Sequence, residues 1–77
     1  RAGMQLDEGI LHLTDREVDL LRLVARGMSN KEIATELHLA ESTVKNRLSV
    51  LFEKLDVKDR TQAAIYALSH GLLPRQS

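Results

Sequence analysis

Three times in this chain a residue able to cap a helix stands three positions before a Glu or Gln: Thr14-Asp15-Arg16-Glu17, Ser29-Asn30-Lys31-Glu32 and Asp59-Arg60-Thr61-Gln62. In such a capping box the first side chain accepts from the backbone N–H three residues on, and the Glu or Gln reaches back to the N–H of the cap. Starts at 14, 29 and 59 leave room only for short helices. Gly27 before Met28, and Gly71 before Leu72 with Pro74 beyond, are matching stops, in which a left-handed residue is followed by an apolar one that folds back. Val18, Leu21, Val24, Ala25 and Met28 recur at helical spacing, widened by Leu20 and Leu23, which predicts a first helix over 15–26. Ile33, Ala34 and Leu37 give a second helix of about two turns. Val44, Leu48, Leu51, Phe52 and Leu55 are the core stripe of a third, over 41–54. Asp56-Val57-Lys58 leads to a fourth that begins at Arg60, with Ala63, Ala64, Ala67 and Leu68 expected inward and Gln62, Ile65, Tyr66 and Ser69 outward. The fold class is all-α, a four-helix bundle. Its second and third helices, parted by three or four residues, must cross steeply as a helix-turn-helix.

Seventy-seven residues make one domain at most. A chain this short leaves little material for a deep catalytic cleft and its supporting shell. With no Cys, a disulfide scaffold and a thiolate metal site are excluded, and His12, His38 and His70 lie too far apart to pair on one helix. No metal, cofactor or catalytic residue is expected, and Ser29, Ser42 and Ser49 have no His and acid readable beside them, so the chain is not read as an enzyme. No apolar run approaches the length of a membrane span, which suits a cytoplasmic protein. Residues 1–10 carry two glycines and no sustained periodicity, and read as a tail or the end of an interdomain linker, with the domain over 11–77. The missing initial Met suggests a piece of something longer, although Met4 could serve as a start.

The formal net charge is zero, so nucleic-acid binding has to be argued from where charges sit rather than from their sum. Opposite the buried stripe of the third helix lie Ser42, Asn46, Ser49 and Glu53, with Lys45 and Arg47 on the flanks and Val50 more outward than inward. Arg and Lys donate to guanine, Asn pairs with adenine, and short hydroxyls serve either. A polar outer face is in most helices merely solvated. Its position here, directly after a short capped helix and a tight turn, is that of the N-terminal residues with which recognition helices read bases. Asn30 and Lys31 occupy the first turn of the second helix, where free N–H groups and the positive dipole end favour a phosphate. The acids Asp7, Glu8, Asp15, Glu17 and Asp19 gather near the chain start and are expected away from the reading helix.

In order and spacing, Leu13-Thr14-Asp15-Arg16-Glu17, Gly27-Met28-Ser29-Asn30-Lys31-Glu32-Ile33-Ala34, Leu37 through Asn46, Lys54-Leu55, Arg60-Thr61-Gln62-Ala63-Ala64 and Gly71-Leu72-Leu73 resemble the LuxR-type helix-turn-helix domain. That domain forms the C-terminal output unit of NarL/FixJ-type response regulators and of quorum-sensing regulators. The resemblance implies that the second helix is a scaffold, the third enters the major groove of double-stranded DNA, and the fourth pairs subunits. It places Lys45, Asn46 and Ser49 against bases or adjacent phosphates, with base reading favoured, and Lys31, Ser42, Thr43 and Thr61 against the DNA backbone. Asn30, from its place in the first turn of the second helix, is a further phosphate candidate, and Arg47, from its place on the flank, a base or backbone one. Lys58 and Arg60 are peripheral phosphate candidates, and Gln62, Ile65, Tyr66 and Ser69 the dimer face. Arg47 stands where many members have His, and Val50 where a small or polar residue is usual.

The function expected is sequence-specific DNA binding by the output domain of a bacterial transcriptional regulator, a homodimer on DNA, with an upstream receiver or ligand-binding domain and RNA polymerase as further partners. The competing readings are a sigma-factor-like promoter-reading module and a degenerate helix-turn-helix used only for protein interaction. The latter would favour acidic or apolar residues at 45, 46 and 49, which the chain does not have.

Overall fold

The computed structural model describes residues 12–72. The tail or linker expected over residues 1–10 lies outside the described residues, as does Pro74. Within them the chain forms α1 (Asp15–Ala25), α2 (Asn30–Leu37), α3 (Glu41–Leu55) and α4 (Arg60–Ser69). Thus α1 ends one residue earlier, and α3 one residue later, than the periodicity predicts.

Two capping boxes close in full. The Glu17 N–H donates to Thr14 Oγ1 at 3.1 Å and the Thr14 N–H to Glu17 Oε1 at 2.9 Å; Ser29 and Glu32 repeat this at 3.1 and 2.8 Å. The third is altered. The Gln62 N–H donates to Asp59 Oδ1 at 2.9 Å, but Gln62 Oε1 accepts from the N–H of Lys58, one residue before the cap, at 2.8 Å. Asp59 is more extended than the other caps (φ −151° against −72° and −75°), which turns its own N–H away and presents that of Lys58. At α3 the capping position is Ala40, which has no side chain to accept from the first turn.

All four helices stop in the same way. Gly27 (φ 85°) and Gly71 (φ 82°) take the expected left-handed conformation, and so do His38 (φ 59°) and Asp56 (φ 56°), where the sequence has no glycine. The following residues Met28, Leu39, Val57 and Leu72 return their N–H to the carbonyls of Leu23, Ala34, Phe52 and Ala67 at 2.8–3.2 Å. All four lay their side chains on the core. A left-handed L-residue costs on the order of 1 kcal/mol; satisfying the last carbonyls and burying the next side chain offsets it. Three residues, His38-Leu39-Ala40, therefore suffice to turn α2 into α3.

The core is one cluster drawn from every helix, with Leu21, Ile33, Val44, Leu51 and Leu72 its most deeply buried large members. α1 packs chiefly on α4, and α2 on α3. Ala63 and Ala67 are fully buried, and with nothing beyond Cβ they let the leucines of α1 come close to the α4 backbone. The α4 face differs from expectation at two places. Leu68 is 46% exposed, while Tyr66 is half-buried against the core and stacks on the His70 ring at 4.0 Å. At 100° per residue Leu68 lies about 140° from Ala63 and Tyr66 only about 60°, so centring the buried face on Ala63 and Ala67 turns Leu68 outward and Tyr66 partly inward.

Glu17 does more than cap. Its Oε2 pairs with Lys54 Nζ at 2.8 Å, near the end of α3, and its Oε1 accepts from the same ammonium at 3.0 Å. The expectation that the N-terminal acids stand apart from the third helix therefore fails for Glu17, because α1 crosses close to α3. The Lys54 ammonium, and after it the Thr14 backbone N–H, hold the Glu17 carboxyl below its ordinary range. A carboxyl whose pKa falls on folding stabilises fully above its unfolded value, near 4.5 for Glu17, and loses that contribution as pH drops through the lowered folded value. Glu17→Gln keeps an oxygen for the Thr14 N–H but loses the pair with Lys54, and is expected to cost up to ~1 kcal/mol at neutral pH, the scale of a largely exposed ion pair. It should also melt with a shallower pH dependence than the parent between about pH 5 and 3. Parallel melting profiles across that window would contradict the assignment.

Candidate nucleic-acid interface

The buried stripe of α3, Val44, Leu48, Leu51 and Leu55, fixes the helix's rotation about its axis, so its polar side must face away from the bundle. Ser42, Lys45, Asn46, Arg47 and Ser49 are all exposed there, with Thr43 half-buried. Val50 is 51% exposed, an apolar residue on an otherwise polar surface. Among the described residues neither Lys45 nor Arg47 forms an ion pair; the two pairs there are Glu17–Lys54 and Asp19–Arg22. Their cationic ends are thus not paired with any acid of the described residues. The Ser49 hydroxyl donates to the Lys45 carbonyl at 3.2 Å. Its proton is committed, and its oxygen is left as an acceptor, suited to a base amino group rather than to a ring nitrogen.

The start of α2 is built differently. Ser29 takes the Glu32 N–H and Glu32 folds back to Ser29, leaving the N–H groups of Asn30 and Lys31 in the first turn without intrahelical acceptors. The Lys31 side chain is exposed. Asn30 is half-buried, and its Oδ1 accepts from Arg60 Nη1 at 2.7 Å. The second arm of that guanidinium, Nη2, donates to the Met28 carbonyl, also at 2.7 Å. Arg60, expected at the phosphate periphery, forms a strut from the start of α4 to the start of α2. Lys58 and Thr61 beside it are exposed. At the start of α3, with no side-chain cap, the first-turn N–H groups around Ser42 are open to an outside acceptor.

Sequence reasoning missed Arg16. On the first turn of α1 it is exposed and lines a groove with Glu17, Leu20, Asn46, Arg47 and Val50, so a second guanidinium stands beside the outer face of α3. Its distance from α3 in sequence left no local signal; only the α1–α3 crossing brings it there. On α4, Ile65 (58% exposed) and Leu68 form an apolar surface, with Ser69 exposed beside them. Gln62 is exposed but bonded to Lys58 through its oxygen, and Tyr66 is turned partly away. Among the described residues no group of three or more His, Asp or Glu is placed to hold a metal, and no helix is long and apolar enough to cross a membrane.

Residues 11–67 match the family model described as GerE, bacterial regulatory proteins of the luxR family. The chain belongs to this luxR family. It is 49% identical over 63 residues to the transcriptional regulatory protein LnrK of Bacillus subtilis, covering 82% of this chain and 29% of LnrK. It is 51% identical over 61 residues to the response regulator protein VraR of Staphylococcus aureus and of Staphylococcus epidermidis, covering 79% of this chain and 29% of VraR. The luxR-family chain described here thus spans less than a third of these relatives.

Proposed function

We propose that the chain is the DNA-binding output domain of a bacterial transcriptional regulator of the response-regulator type. In this reading α3 enters the major groove and α2 holds the backbone beside it. The single observation that carries it is the outer face of α3, where Lys45, Asn46, Arg47 and Ser49 project from a rigid helix with no acid of the described chain paired to them. Lys45 and Asn46 read base edges, and Ser49 offers an acceptor. Lys31, Asn30 and the first-turn N–H groups of α2 bind one phosphate region, Ser42 and Thr43 another, with Arg16, Thr61 and Lys58 at the margins. Zero net charge limits the number of phosphates one copy can neutralise. Pairing two copies through Ile65, Leu68 and Ser69 of α4 restores affinity by effective concentration on paired half-sites. In the full protein a receiver domain N-terminal to α1 supplies the signal, in keeping with the response regulator protein VraR, to which the chain is similar.

Selection from a randomised duplex pool tests the reading: enrichment of a common motif by the 77-residue chain supports it, and failure to enrich any motif refutes it. Lys31→Ala is then expected to weaken binding to the selected and to a scrambled duplex by the same factor. It should also reduce the slope of log affinity against log salt by about one. A loss confined to the selected duplex would reassign Lys31 to base reading.

A further inference from the structure

We infer that Arg60 is a positioning residue for the DNA backbone, acting by orienting the side-chain amide of Asn30; this rests on the DNA-binding reading above. A guanidinium carries donors only. With Nη1 at 2.7 Å from Asn30, the atom facing it has to be the amide oxygen, and the NH2 group is turned the opposite way. An asparagine without such a partner can present either end. Here the choice is made by a residue thirty positions along the chain. The Nη2 bond to the Met28 carbonyl pins the guanidinium to the turn that precedes α2, so the amide is fixed relative to the helix as well as in its sense. The planar fork matters: a lysine could serve one of these acceptors but not both in this geometry.

What the oriented amide joins is a set of donors. It stands on the first residue of α2, next to the exposed Lys31 side chain and the first-turn N–H groups that Ser29 leaves untouched. The Glu32 carboxylate, the nearest acid in sequence, is drawn back to the Ser29 N–H. A phosphate oxygen is the acceptor class this arrangement fits: it carries negative charge, has several lone pairs, and accepts from amide, ammonium and backbone together. The same strut ties the first residue of α4, the proposed pairing helix, to the donor set, so a shift of α4 against α2 turns the amide.

The test is a double-mutant cycle on the 77-residue chain with the duplex recovered by selection, each variant also followed by thermal melting. Asn30→Ala is expected to weaken binding on the order of ten-fold, the scale of one hydrogen bond to a charged acceptor. Arg60→Ala, measured where it is folded, should show a similar loss, and Asn30→Ala/Arg60→Ala no more than the larger single loss. Arg60→Lys, which keeps the charge but reaches only one of the two acceptors, covers the case in which Arg60→Ala does not fold. It is expected to lose at least several-fold in affinity, because one bond cannot fix both the sense of the amide and its place against the turn. Wild-type affinity in folded Arg60→Ala or Arg60→Lys, or a double variant whose loss is the product of the two singles, overturns the inference while leaving the DNA-binding reading in place. A pool that yields no motif refutes that reading first, and this inference with it.

Discussion

Leu51→Ala is expected to leave a large fraction of the molecule unfolded at room temperature. Leu51 is 0% exposed, at the middle of the α3 stripe where the other helices converge on it. Truncating a buried leucine costs ~2–5 kcal/mol, the transfer of its methyl groups plus the cavity they leave. A domain of this length draws only ~3–5 kcal/mol from a single core, so one truncation consumes most or all of the margin. Urea unfolding followed by far-ultraviolet circular dichroism measures it, with Val50→Ala as the control. That substitution removes a similar kind of side chain one residue earlier but on the outer face, and should shift stability by no more than ~0.5 kcal/mol. Equal effects at 50 and 51 would mean that the rotation of α3 is wrong, and with it every assignment on the outer face.

Lys45→Ala and Asn46→Ala are expected to do the reverse, leaving melting nearly unchanged while each removes ~1–3 kcal/mol of preference for the selected duplex over a scrambled one. Both side chains are exposed, and neither bonds to another part of the described chain. Their loss therefore costs the fold little. Competition binding at fixed salt separates the two quantities, because the phosphate contribution is common to both duplexes and cancels in the ratio. Retained preference in both variants would remove them from the reading surface and point to Arg47 or to the shape of the duplex.

Helix starts were legible because capping is local chemistry: Thr14 with Glu17 and Ser29 with Glu32 carry their partners within four residues. The buried faces of α1 to α3 were legible for a related reason, since leucines and valines at helical spacing leave one solution for rotation. On α4 the small residues gave a weaker bearing, and the reading put Leu68 inside and Tyr66 outside; alanine tolerates both settings, so the wheel had little to anchor it. His38 and Asp56 were not readable as left-handed stops, because tertiary burial of Leu39 and Val57 imposes that conformation on residues with no intrinsic need of it. In the interface, exposure of Lys45, Asn46, Arg47 and Ser49 followed from the same periodicity. Arg16 beside α3, Lys54 on Glu17 and Arg60 on Asn30 depend on where helices cross, and no spacing within a helix encodes that.

The packing of α1 on α4 has a consequence for how the protein comes into being. A ribosome releases the chain from its N-terminus, so Leu20, Leu21, Leu23 and Val24 emerge long before the alanines that cover them. The α2–α3 pair, built from neighbouring stretches, can associate meanwhile, but the apolar side of α1 stays wet until Ala63 and Ala67 have cleared the exit tunnel. Completion of the fold is therefore tied to the closing turns of α4, and a message broken off before the codon for Ala63 would yield a chain holding α3 with the apolar side of α1 still in water.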